Sequence, residues 1–268
     1  NGIANTASMV LTNAVSTTVT VSGDGIDTAE DLGLTVDVGH NLATNLRIDT
    51  EPSGYVRAGE YFAQQPIISI RDAYGNLVND DNSTEVTASA NGSQELMGTR
   101  TLTASGGLVN FDGLNYEKME TITIDFTSEP SLTSVTSQNI FVDHNVTDRF
   151  AFTLKPGFIF AGGQRGAYVV TRYDAYSNLV DNVVGENGED LVIPETVYLY
   201  SDFSGSPGFV TNFYNTATGG SIITSINISD GSTSASFWYY STEAGDHLIT
   251  GSDKSILDNP DLDVINAV

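Results

Sequence analysis

The sequence predicts an all-β chain arranged as a tandem of β-sandwich domains. Two observations carry this. First, residues 51–80 (EPSGYVRAGEYFAQQPIISIRDAYGNLVND) and 155–182 (KPGFIFAGGQRGAYVVTRYDAYSNLVDN) share one order of features. Each has Pro and Gly, an apolar stretch, Ala-Gly, an alternating run, and then Asp-Ala-Tyr-(Gly/Ser)-Asn-Leu-Val. Pro52 and Pro156 are 104 residues apart, and Asp72 and Asp174 are 102 apart. A period near 100 is too long for a solenoid and fits one sandwich domain. Second, runs of Val, Ile, Thr, Tyr and Phe alternate with clusters of Gly, Ser, Thr, Asn and Asp, the pattern of short strands joined by turns. No helical period of usable length interrupts them.

The elements follow in order. Residues 8–22 are β-branched and end at Gly23-Asp24-Gly25, and Leu32, Leu34, Val36 and Val38 alternate. Residues 1–45 are too few for a sandwich and are expected to be a partial N-terminal module, or strands lent to the next domain. The first sandwich is expected over 46–145. It contains Ile67, Ile68 and Ile70 before the Asp72–Asn76 turn, then Val86 and Ala88, Leu108 to Phe111, the alternating Ile122, Ile124 and Phe126, and Ile140 to Val142. That makes seven to eight short strands. The second sandwich, 146–252, repeats the plan through Phe150 and Phe152, Val169 and Val170, Thr196 to Tyr200, and Phe237 to Tyr239. Phe111 and Phe237 are 126 apart, against 102 for the turns, so about 24 residues are inserted, at Val183–Ile193 and Ser204–Ser221. Residues 253–268 read as an acidic linker or tail. The opening Asn1-Gly2-Ile3-Ala4 carries no leader pattern and is expected to be an internal start.

Composition limits the classes of partner. Thirty-four acids against 10 bases give a net charge of −24. Nucleic acid needs a basic face, and anionic membranes repel the same charge. The field recruits cations, and an acid-rich, Lys-poor surface suits saline or divalent-rich surroundings but is also that of many ordinary secreted proteins. No cysteine is present, which excludes thiol catalysis and zinc-thiolate sites. No apolar run is long enough to span a membrane.

Within this frame Ala58-Gly59, Phe62 to Pro66, Asp72 to Asn76, and Val109 to Leu114 stand in an order that resembles an immunoglobulin-like repeat of bacterial and archaeal cell-surface proteins, of the adhesin or surface-layer type. The resemblance covers 46–142 closely and 147–251 more loosely, where Ser177 replaces the turn glycine and the Gln-Pro is missing. It implies tandem immunoglobulin-like β-sandwich domains and an extracellular, multi-domain setting. It implies no catalytic residue.

The Asp72 turn suits a capping carboxylate followed by residues that take positive φ, against a calcium or ligand loop. Acids cluster at Asp80-Asp81, at Glu186, Glu189 and Asp190, at Asp143 with Asp148, and in the tail at Asp253, Asp258, Asp261 and Asp263. None has EF-hand spacing. Asp143, Asp148, Glu186, Glu189 and Asp190 are the candidate calcium ligands, with a solvated acidic surface as the alternative. Neither His40, His144 nor His247 has a metal-ligating spacing. Phe237, Trp238, Tyr239 and Tyr240 are consecutive, so alternate members face outward and Trp238 and Tyr240 are candidate ligand or partner contacts. Sequons stand at Asn82, Asn91, Asn145 and Asn227.

The expected role is a non-enzymatic structural or adhesive module of a multi-domain cell-surface protein. No cofactor is required, with calcium as the candidate ion. Partners would be neighbouring domains, identical subunits or a cell-surface glycan. The alternative is a carbohydrate-binding or spacer module of a secreted enzyme.

Overall fold

The computed structural model describes residues 10–19, 34–185, 188–203, 207–255 and 265–266. Among them no helix occurs, and every regular element is a strand. The chain forms two compact units. One comprises Asn1–Val56 and Glu60–Val142, and the other Arg57–Gly59 and Asp143–Val268.

The first unit opens with an antiparallel ribbon of β1 (Ser16–Val19) and β2 (Leu34–Asp37). Leu32 and the Gly23–Gly25 turn lie outside the described residues. Next come β3 (Ala43–Thr50), β4 (Tyr55–Arg57), β5 (Ile67–Asp72), β6 (Glu85–Ala90), β7 (Thr101–Thr103) and β8 (Leu108–Asn110). They are followed by β9 (Glu120–Ile122), β10 (Ile124–Glu129), β11 (Val135–Thr136) and β12 (Ile140–Asp143). One face is β3-β5-β8. The other is the pair of ladders β4-β12-β9 and β11-β10-β6-β7. Only Thr123 separates β9 from β10, so a single run gives its first half to β12 and its second to β6. This order is that of an immunoglobulin-like sandwich.

Alternation buries one side of each strand. Ile68, Ile70, Val86, Val109, Ile122, Ile124 and Phe126 form the core between the faces, and the Phe111 and Phe126 rings meet at 5.6 Å. Tyr116 is also fully buried, and its hydroxyl donates to Glu120 Oε1 at 2.6 Å. Burying a phenol is tolerable when the hydroxyl finds such a partner.

The second unit contains β13 (Arg149–Leu154), β14 (Gly166–Tyr173), β15 (Val183–Val184), β16 (Asp190–Leu191), β17 (Glu195–Ser201) and β18 (Thr211–Tyr214). It continues with β19 (Ile222–Ile223), β20 (Ser225–Ile228), β21 (Ser234–Ser241), β22 (Ile249–Ser252) and β23 (Ile265–Asn266). The sheets are β13-β14-β21-β18-β19 and β20-β17-β22-β23, with the small ribbon β15-β16 beside them. The core is more aromatic here: Phe150, Phe213, Phe237 and Tyr239 pack with Val170, Val197, Leu199, Ile228 and Ile249. Both units are immunoglobulin-like sandwiches. The stretch 183–193 contains the β15-β16 ribbon, and 204–221 contains β18.

Gly75 and Ser177 occupy the same place in the two Asp-Ala-Tyr turns, with φ of 86° and 68°. Glycine adopts that region freely and serine does not. A Cβ added at Gly75 would meet nothing within 4 Å, so any cost of substitution is backbone strain alone. Gly75→Ala is expected to lose about 1 kcal/mol of stability, measured by urea unfolding.

Candidate functional site

The repeated turn is one half of a polar clamp made twice. In the first unit Asp72, which is 1% exposed, ends β5. Its Oδ1 accepts the N–H groups of Tyr74 (2.9 Å) and Asn76 (2.8 Å). Its Oδ2 accepts the N–H of Asn41 and the Asn76 side-chain amide, both at 2.9 Å. Asp174 does the same after β14. Oδ1 accepts from the Tyr176 (2.9 Å) and Asn178 (2.8 Å) N–H groups, and Oδ2 from the Asn145 N–H (3.0 Å) and the Asn178 amide (2.9 Å).

The other half is a His-Asn pair, His40-Asn41 and His144-Asn145. Each Asn caps its own chain, with Oδ1 accepting the N–H of Leu42 or Val146 at 2.8 Å. Each His bridges outward: Nδ1 bonds the following Asn carbonyl, and Nε2 reaches Asp80 (3.0 Å) or Asp181 (2.9 Å). His40 and His144 are 104 residues apart, the same spacing as Pro52 and Pro156. No short motif marks this pair, because its bonds to the Asp span 31 and 29 residues. The spacing was its only signal.

Each clamp also seats a further segment. In the first unit the Asn76 amide donates to Thr12 O at 2.7 Å, and Ala14 N–H donates to Asn76 Oδ1 at 2.9 Å. In the second, the Asn145 amide donates to Ala58 O at 2.9 Å. Gly59 lies against the Tyr176 ring, which fills the space a Cβ would need. The Ala-Gly of the sequence motif is therefore a contact position.

Burial works against the charge of Asp72, but the donors from Asn41, Asn76 and Tyr74 outweigh it and hold the carboxyl far below the ordinary carboxylate range. A depressed folded-state pKa contributes stability that is present above the unfolded value and is lost as pH falls. The window thus opens below about pH 4. The protection of the Asn41 and Asn76 amides, taken relative to intrinsic exchange at each pH, is expected to fall as pH drops through that window. Asp72→Asn should flatten this dependence.

Among the acids offered to calcium, Glu186 lies outside the described residues. Asp143 and Asp190 face a side chain of the chain itself, Arg57, which is 4% exposed and groups with the second unit. Arg57 Nη2 donates to Asp190 Oδ1 at 2.5 Å and to Gly188 O at 2.9 Å. Nη1 donates to His144 O at 3.0 Å and stands 4.0 Å from Asp143 Oδ2. Asp148 is exposed, with its N–H bonded to Tyr173 O, and Glu189 is exposed. Among the described residues no three His, Asp or Glu are placed to hold a metal ion.

On β21, Phe237 and Tyr239 are buried, while Trp238 and Tyr240 take the outer face and are half-buried. Trp238 pairs with Tyr214 across the ladder. Arg165 lies 3.3 Å over the Tyr214 ring and donates to Thr216 O (2.7 Å) and Gly219 O (2.6 Å), fixing that loop. Tyr240, Tyr214, Gln164, Arg165 and Thr218 line an open cleft of about 610 Å³. No carboxylate lines it, in a chain that carries 34 acids.

No family model and no curated protein matches the chain. Among solved structures it is similar to alpha-2-macroglobulin of Escherichia coli, at 11% identity and a TM-score of 0.37, over 88% of this chain and 17% of that one. It is also similar to invasin, a bacterial integrin-binding protein, at 14% and 0.34, over 85% of this chain and 41% of that one. The D0-D1 domain of intimin aligns at 10% and 0.27, over 80% and 92%. The chain thus spans less than half the length of the first two of these proteins, 17% and 41%. The assignment of the fold rests on strand order and core. No helix among the described residues is long and apolar enough to cross a membrane.

Proposed function

We propose that this chain is a non-enzymatic structural or adhesive module of a multi-domain protein at the cell surface. The observation that supports it is the clamp made twice. The same four hydrogen bonds to one carboxylate recur at spacings of 102 and 104 residues, and each clamp seats a further stretch of chain. A device repeated with every sandwich, and spent on holding chain segments in place, suits an array whose purpose is mechanical. The net charge of −24 favours solubility and repels nucleic acid. The first test is antibody against the chain applied to intact source cells. Labelling before permeabilisation is the expected result, and labelling only afterwards overturns the surface reading. Beads coated with the chain then separate an adhesin, which retains them on host or mineral surfaces, from a spacer, which does not.

A carbohydrate-binding role is the second reading, favoured by the cleft at Tyr240. An aromatic ring with amide and hydroxyl groups at its edge can stack on and hydrogen-bond a pyranose. Glycan-array binding abolished by Tyr240→Ala would support it, and an array without signal would remove it.

A further inference from the structure

Within the second unit the clamp is seen filled. The Asn145 amide donates to Ala58 O at 2.9 Å, and the Tyr176 ring stands where a Cβ on Gly59 would be. Gly59 has a φ of 79°, so Ala58-Gly59 is a left-handed turn presented to the clamp. Arg57, the residue before it, donates to His144 O at 3.0 Å. With this turn in place His144 is fully buried, and Asn145 and Tyr176 are half-buried.

The first unit has the same receiving groups, uncovered. Tyr74, the counterpart of Tyr176, is 57% exposed, and Leu42, which follows Asn41, is 82% exposed. Asn41 is exposed, and its side-chain amide makes no hydrogen bond among the described residues. The presenting turn also recurs. Ala161-Gly162 stand 103 residues after Ala58-Gly59, and Gly162 has a φ of 71°. Gly162 N–H donates to Ser241 O and Gly163 N–H to Phe160 O, both at 2.8 Å, which holds the turn in shape. Both turn residues are exposed, and a Cβ on Gly162 would meet nothing within 4 Å. Ala161 O accepts no bond among the described residues. Phe160 stands where the first repeat has Arg57, and is 73% exposed against 4%.

We propose that Ala161-Gly162 of one copy of this chain docks on Asn41 and Tyr74 of a second copy, as Ala58-Gly59 docks on Asn145 and Tyr176. The Asn41 amide donates to Ala161 O, the Tyr74 ring covers Gly162, and Phe160 lies against His40 and Leu42. Three features favour a second copy as the occupant. The chain carries both halves of the contact, and both are open. The same pairing exists filled in the same molecule, so the backbone is known to make it. Phe160 in place of Arg57 suits a meeting with the exposed Leu42, where burying both removes apolar surface from water. Turn and receiving face are different surfaces, so the contact is head-to-tail and can add copies one after another. The proposal goes beyond the surface reading above, and each can fail without the other.

The test is sedimentation velocity on the whole chain, at about 0.5 M salt to screen the repulsion between copies. The weight-average mass is expected to rise with concentration. Gly162→Ala puts a methyl where the Tyr74 ring must sit, and Tyr74→Ala removes the ring. Each alone should weaken association about tenfold or more. Gly231, with a φ of 72° and nothing within 4 Å of an added Cβ, supplies the control. Gly231→Ala imposes the same backbone strain away from the turn and should associate as the unaltered chain does. Mixing the two weakened variants should restore one-to-one dimers that grow no further. Tyr74→Ala keeps the presenting turn, Gly162→Ala keeps the receiving face, and only one sound contact can form between them. A mass that stays that of a single chain up to about 1 mM, association untouched by Gly162→Ala, or variants that stay apart when mixed would each overturn the proposal.

Discussion

Asp174→Ala is expected to destabilise the second unit by about 3–5 kcal/mol, one of the two largest single-residue effects anticipated here. Asp174 is fully buried and accepts four hydrogen bonds: three from backbone N–H groups, of Asn145, Tyr176 and Asn178, and one from the Asn178 amide. Alanine deletes the acceptors and leaves the donors in place. Backbone N–H groups cannot turn away, so those that water cannot reach stay unpaired. The turn would also lose its link to residue 145, at the entry to β13. The measurement is urea unfolding followed by the fluorescence of Trp238, the single tryptophan of the chain, which lies in the second unit and reports on it alone. A loss below about 1 kcal/mol would show that the clamp contributes no more than an ordinary surface turn.

Arg172→Met is expected to cost about as much, 3–5 kcal/mol, by a different route. Arg172 has no exposed surface. Its Nε donates to Val180 O at 2.8 Å, Nη1 to Glu195 Oε2 at 3.0 Å and Nη2 to Ser232 O at 2.9 Å. One side chain thus ties two loops and the start of β17 to the end of β14. Methionine keeps much of the apolar stem, so packing is largely preserved and the lost bonds dominate. Glu195 keeps Thr147 Oγ1 at 2.9 Å but loses its charge partner, and two carbonyls lose their donors. The double variant Arg172→Met with Glu195→Gln should recover part of the loss, because the stranded charge is then gone. No recovery would mean that the two carbonyls carry the effect.

The sandwich class was readable because alternation and repetition are local signals. Ile122, Ile124 and Phe126 are all buried on one side of adjoining strands, and Phe237 and Tyr239 point inward as their neighbours point out. The clamp was half readable. A carboxylate that caps its own turn shows in five consecutive residues, but the Asn41 and Asn145 donors come from far along the chain. Arg57 was not readable at all. Arginine is rarely buried, and nothing in Tyr-Val-Arg-Ala-Gly marks this one as the partner of Asp190, 133 residues away.

Arg57–Gly59 group with the second unit although 83 residues of the first, Glu60–Val142, follow them before that unit resumes. The second sandwich is therefore not a contiguous stretch of gene. During synthesis its Arg57 leaves the ribosome long before the hairpin that will receive it, and must wait while the rest of the first unit is made. A gene dissected at Asp143 would give a second sandwich whose Gly188 carbonyl and Asp190 carboxylate lack their guanidinium. Exchange of one sandwich for another by recombination would likewise have to carry a tripeptide from inside its neighbour.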